Sequence, residues 1–164
     1  MLKQQLESDA KEALKQNSHV VLGVLRMTLA AITSKEKEKR YKIAKEKNNL
    51  KEEDLIKESK LSDDEIIGVL SSEIKKRRDA IVLYEKGARP ELVEVEKKEI
   101  AILQKYLPEQ LSEDELKKSI EESIKKVGAA QIKDMGKIMA DLMPKVKDKA
   151  DNGEISRIVK ELLQ

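Results

Sequence analysis

Two six-residue runs fix helix starts in this chain: LSDDEI at Leu61–Ile66 and LSEDEL at Leu111–Leu116. Each is a capping box. Ser62 and Ser112 can accept from backbone N–H groups three residues on, and Glu65 and Glu115 can reach back to the serine N–H. Leu61 with Ile66, and Leu111 with Leu116, have the spacing of a hydrophobic staple. Around these starts apolar residues recur with a period near 3.6, and no segment alternates for long like a half-buried strand. The expected fold is all-α, with six or seven helices.

The first helix reads from Leu2 to Gln16, with Leu2, Leu6, Ala13 and Leu14 on one side. The second starts near Ser18 and carries Val21, Leu25, Thr28 and Ile32. Val20, Val24, Met27 and Ala31 widen that stripe into a face suited to burial against two neighbours. Past Thr33 the same helix continues into SKEKEKRYKIAKEKNNL, where the stripe almost vanishes. Lys35 to Lys51 holds eight basic and three acidic residues. The charged stretch 33–50 therefore reads as a solvated helix extension with a loose connection after it, or as a basic arm for RNA or a protein partner.

The helix from Ser62 presents Ile66, Leu70, Ile74, Ile81 and Tyr84, and Gly87 is expected to stop it. GARPEL is a tight turn that places Pro90 in the next helix's first turn. That helix offers Leu92, Ile100, Leu103 and Leu107, so the two should pair as an antiparallel hairpin. The pattern breaks at Pro108, which divides the chain into residues 1–107, an N-terminal helical bundle, and 108–164, a small three-helix domain. The latter carries Leu116, Ile120, Ile124 and Val127, then Met135, Ile138, Met139, Leu142 and Met143, then Ile155, Ile158, Val159, Leu162 and Leu163.

Composition narrows the chemistry. Without cysteine there is no disulfide, thiolate nucleophile or Cys-ligated zinc, and with His19 the only histidine an ordinary zinc site is excluded. The carboxylates are spread among lysines with no acid/base pair standing out, and no glycine-rich phosphate loop occurs. No cofactor and no catalytic residue are assigned, and the balance leans away from an enzyme. The longest apolar stretch, His19 to Ile32, is too short to span a bilayer, and the N-terminus lacks a secretory h-region. A cytoplasmic protein is expected. The net charge of +2 gives a weak global field, so nucleic-acid binding would rest on local patches.

Two patches qualify. Lys75, Lys76, Arg77 and Arg78 stand together on one helix, with Glu73 and Asp79 nearby. Between Lys125 and Lys149 lie seven lysines and three aspartates. Within that span LMPKVKDKAD sets Lys145, Lys147 and Lys149 on alternate positions. Pro144 cannot continue a helix normally, so the stretch reads as a helix-to-helix connection with Val146 turned inward and Lys145 and Lys147 outward. Asp151 with Glu154 begins the last helix. A phosphate there would meet the lysines and the N–H groups of Asn152 and Gly153, with Asp148 and Asp151 opposing it. Spacing alone leaves both readings open, a phosphate strip and a solvated connection.

The runs EIAILQKYLPEQLSEDEL and VGAAQIKDMGKIMADLMPKVKDKADNGEISRIVKELL resemble the YqeY-like family, as do VLRMTLAAI, EIKKRRDAI and GARPELVEVEKKEI. That family is related to the tail of the GatB subunit of the tRNA-dependent amidotransferase. The resemblance implies an all-helical, two-domain protein. In the amidotransferase the related tail helps to hold tRNA, while amide transfer occurs elsewhere. Carried over, Lys133, Lys137, Lys145, Lys147 and Lys149 become candidate RNA contacts, and Gly136 would permit close approach. The chain departs from the family at Asp148 and Asn152, where Gly is frequent. The expected function is a non-catalytic accessory that binds tRNA or another structured RNA. The alternatives are a protein–protein adaptor using helix 33–50, and an auxiliary component of a glutamine-dependent amidotransferase with separate catalytic subunits.

Overall fold

The computed structural model describes residues 1–47, 50–128 and 131–163, and among these the chain is all-α, with no strand. The helices are α1 (Leu2–Lys15), α2 (His19–Glu46), α3 (Glu52–Glu58), α4 (Asp63–Lys86), α5 (Pro90–Gln104), α6 (Glu113–Val127), α7 (Met135–Val146) and α8 (Asn152–Leu162). A 3₁₀ turn, Ile132–Asp134, leads into α7. The chain divides into two compact units, Met1–Tyr106 and Leu107–Gln164. No helix among the described residues is long and apolar enough to cross a membrane.

Unit 1 is built on α2, whose 28 residues extend about 42 Å at 1.5 Å per residue. It packs against α1, α3, α4 and α5. Leu22, Val24, Leu25, Thr28 and Ile32 are buried, and the Thr28 hydroxyl satisfies itself by donating to the Val24 carbonyl at 2.9 Å. The apolar face is narrower than its composition suggests. Val20 and Met27 are 57% and 60% exposed, because the neighbouring helices cover only the Leu25–Ile32 side. Residues 52–58, expected as loose connection, form α3. Glu52, Glu53 and Asp54 lie in its first turn and Lys57 in its last, as the helix dipole favours.

The capping box of α4 forms as read. Ser62 Oγ accepts from the Glu65 N–H at 3.2 Å, and Glu65 Oε2 accepts from the Ser62 N–H at 2.8 Å. Leu61 and Ile66 are both buried, completing the staple. Helix α4 ends at Lys86, so Gly87 stops it as expected. Gly87 keeps φ −85 as the C-cap, and Ala88 takes the left-handed position at φ +51. The Arg89 N–H donates to the Tyr84 carbonyl and the Ala88 N–H to the Glu85 carbonyl, at 2.9 and 3.1 Å. This is a Schellman closure with alanine where glycine is usual. Asn17 closes α1 the same way at φ +54. At the end of the unit, Tyr106 donates to Asp9 Oδ2 at 2.7 Å. Burial and the adjacent carboxylate push the phenol's pKa upward.

Unit 2 folds around Leu116 and Ile120 of α6, Ile138, Leu142 and Val146 of α7, and Ile155, Ile158 and Val159 of α8. Met135, Met139 and Met143 pack at the edge of this core. Ser112 and Glu115 form the second capping box, at 3.3 and 2.8 Å. Gly128 ends α6 at φ +63, a conformation that excludes most side chains.

Candidate nucleic-acid interface

Helix α7 runs through Pro144 and stops at Val146, three residues beyond the Met143 end expected before the proline. Pro144 lies in the last turn, where its missing N–H removes only one helical bond. Lys145 therefore stands on a helix. Lys147 (φ −53, ψ 129) and Asp148 (φ +62) then form a turn closed by the Lys149 N–H on the Val146 carbonyl at 3.0 Å. These angles belong to a type II turn, whose third position prefers glycine. Asp148 occupies that position. The turn is pinned to the segment before α6. The Leu111 N–H donates to the Lys149 carbonyl at 2.8 Å, and Gln110 Nε2 donates to the Asp148 carbonyl at 2.9 Å. The three lysines thus lie on a helix end and a tight turn, with no extended ladder. Val146 is buried, as expected.

The structure sorts the candidate lysines into two groups. Lys145 Nζ donates to Asp141 Oδ2 at 2.6 Å and to Ser123 Oγ at 3.3 Å. Lys126 holds Asp141 Oδ1, and the buried Ser123 donates to Asp141 Oδ2 at 2.9 Å. Hydrogen bonds from Lys126, then Lys145, then Ser123 keep the Asp141 carboxyl well below the usual carboxylate range. Lys137 pairs with Asp134 at 3.1 Å. Lys133, Lys147 and Lys149 are exposed, and none of their side chains makes an ion pair within 4.0 Å among the described residues.

The candidates do not form one cluster. Lys133, Gly136 and Lys137 lie at the start of α7 and Lys147 and Lys149 beyond its end, about 18 Å of helix apart for 12 residues. A Cβ at the exposed Gly136 would meet nothing within 4 Å. No contact inside the protein requires glycine there. The start of α8 is already capped: Asp151 Oδ1 accepts from the Gly153 and Glu154 N–H groups at 2.8 and 3.1 Å. The expected phosphate contact with the Gly153 N–H is therefore taken by a carboxylate.

The basic run on α4 is divided as well. Arg77 is 6% exposed. Its Nε donates to Glu99 Oε2 at 2.9 Å and its Nη1 to the Glu73 carbonyl at 3.0 Å. Lys76 pairs with Glu73 at 2.6 Å. Lys75 and Lys76 are exposed and Arg78 half-buried, so the four cations share no common face to solvent. The Glu73–Arg77 spacing of four was the available signal for this lock; Glu99, 22 residues away, left none. Ser123, 22 residues from Lys145, likewise leaves no signal, whereas Asp141 lies at the same spacing of four from Lys145.

Helix α2 carries the charged stretch as far as Glu46, and residues 48–49 of the 33–50 span lie outside the described residues. Several of its charges are neutralised: Lys3–Glu36, Lys35–Glu38, Lys39–Glu65 and Lys47–Glu58 pair at 2.7–2.9 Å. Among the described residues no group of three His, Asp or Glu side chains could hold a metal ion.

The YqeY family model, described as Yqey-like protein, matches residues 3–163. Comparison with curated proteins gives no match. With a family match that spans both units, the chain belongs to the Yqey-like protein family.

Proposed function

We propose that the chain is a non-catalytic RNA-binding accessory that holds tRNA by its phosphates, with Lys147 and Lys149 as the principal contacts and Lys133 as a further one. The observation that carries this reading is the sorting of the lysines. Lys126, Lys137 and Lys145 already face aspartates, whereas Lys147 and Lys149 flank an anchored turn with no carboxylate partner among the described residues. An unpaired lysine gains the full counterion release on meeting a phosphate. A paired one must first give up its aspartate. The resemblance of unit 2 to the amidotransferase tail points to tRNA as the ligand.

The test is tRNA binding across a salt series. Replacing Lys147 and Lys149 with Ala should reduce the slope of log K against log salt by roughly 1.4 to 1.8, at about 0.7–0.9 per phosphate contact. Lys145→Ala should leave the slope near the parent's. Asp148→Gly should tighten binding by removing a carboxylate from between the two lysines. A double variant with the parent's slope would remove the turn from the interface.

A further inference from the structure

The chain has only three aromatic residues, all tyrosines. Tyr106 is engaged by Asp9, and Tyr84 is half-buried. Tyr41 is 62% exposed, on the outer half of α2. Steps of three and four residues place Ser34, Lys37, Tyr41 and Lys45 on one helix face, with Lys42 beside them. Lys45 Nζ stands 4.7 Å from the Tyr41 ring centroid, covering one face of the ring. Lys35, Lys39 and Lys47 of this stretch are tied to glutamates. Lys37, Lys42 and Lys45 make no ion pair within 4.0 Å among the described residues.

We propose that Tyr41, Lys37, Lys42 and Lys45 form a second RNA site, one that takes an unstacked nucleobase and its flanking phosphates. Every base has a π-face, so an exposed ring between cations grips single-stranded RNA without reading its sequence. Lys45 occupies one side of the Tyr41 ring, and the base stacks on the other. Lys37 and Lys42 meet phosphates on either side of that base. A protein partner of acidic character would satisfy the lysines but gives the ring no comparable role. The site goes beyond the lysine turn of unit 2, which contacts phosphates alone, and it requires an unpaired base.

The two sites separate in one set of measurements on the full chain. The probes are a labelled oligouridine, whose bases are unstacked, and a blunt RNA duplex of the same length. Tyr41→Ala should weaken oligouridine binding about five- to 150-fold, the range for loss of one base–aromatic stack, and leave duplex binding at the parent's level. Tyr41→Phe should bind oligouridine like the parent. Replacing Lys37 and Lys42 with Gln should lower the oligouridine salt slope by about 1.4, at about 0.7 for each phosphate contact. A parent chain that does not bind oligouridine, or a Tyr41→Ala variant that binds it unchanged, overturns the proposal. Capture of a protein by the parent but not by Tyr41→Ala, with oligouridine affinity unchanged, also overturns it and reassigns the face to a protein. The tRNA salt slope of the Lys147/Lys149 variant is read independently, so either site can fail alone.

Discussion

Unit 1 holds a cation between carboxylates, and unit 2 holds a carboxylate between cations. Arg77 sits between Glu73 and Glu99 inside the α4–α5 hairpin, and Asp141 sits between Lys126 and Lys145 on α6 and α7. The charge arithmetic is mirrored, but the surroundings differ. Arg77 is nearly inaccessible, and its planar guanidinium meets partners fixed by two packed helices. Asp141 keeps 15% of its side chain exposed, and its lysines are on flexible stems in water. Burial raises the pKa of Glu96 beside the first group, with Glu99 as the second cause. That hairpin already carries an excess of acid, which Arg77 must offset. The first arrangement is a structural lock, the second a solvated brace.

Removing the lock should have the largest effect. Arg77→Met leaves Glu99 without its cation and Glu73 with Lys76 alone, and should destabilise the protein by about 3 kcal/mol. Urea unfolding reads this directly, and a loss within the range of surface substitutions would erase the contrast between the units. The helix starts come next. Ser62→Ala and Ser112→Ala should each cost about 1 kcal/mol, and a large difference between them would show that the two units use their capping boxes differently.

Ala88→Gly should stabilise unit 1 by up to about 1 kcal/mol, since alanine carries the left-handed penalty that glycine lacks. Asn17→Gly should gain less, because asparagine tolerates that region.

The brace should show the smallest effect in neutral solution, as exposed pairs usually do. Its mark is the acid limb. Asp141 has a lowered folded-state pKa, so its contribution is present above the ordinary carboxyl value of about 3.9 and is lost as pH falls below it toward the folded value. Asp141→Asn should flatten the stability–pH curve below that point. A variant as acid-sensitive as the parent would show that the brace adds nothing.

Local signals are legible in the sequence and distant partners are not. Ser62, Ser112 and Asp151 mark their helices within three residues, and the structure puts caps at all three. Pro90 begins α5 as its fixed φ suggests. Helix ends were less legible. Pro144 reads as a stop, yet α7 continues through it to Val146, whereas α4 does stop at Gly87. The charged runs misled most, because a sequence shows an arginine's charge and not its burial. Arg77 is in the core of a hairpin, and Lys145 is held by Asp141 and Ser123; the positions of Glu99 and Ser123 are set by tertiary packing alone.

Asp151 has a consequence for selectivity among anions. A bare helix start draws inorganic phosphate and free nucleotides as readily as it draws a nucleic acid. Here a carboxylate from the chain itself occupies that position, bonded to two backbone N–H groups. Small anions must displace it without help, whereas a polyanion can leave it in place and bind through neighbouring lysines along its length. Under the proposed RNA reading, the same aspartate that steadies α8 would screen the turn against small phosphates and leave it responsive to polymers.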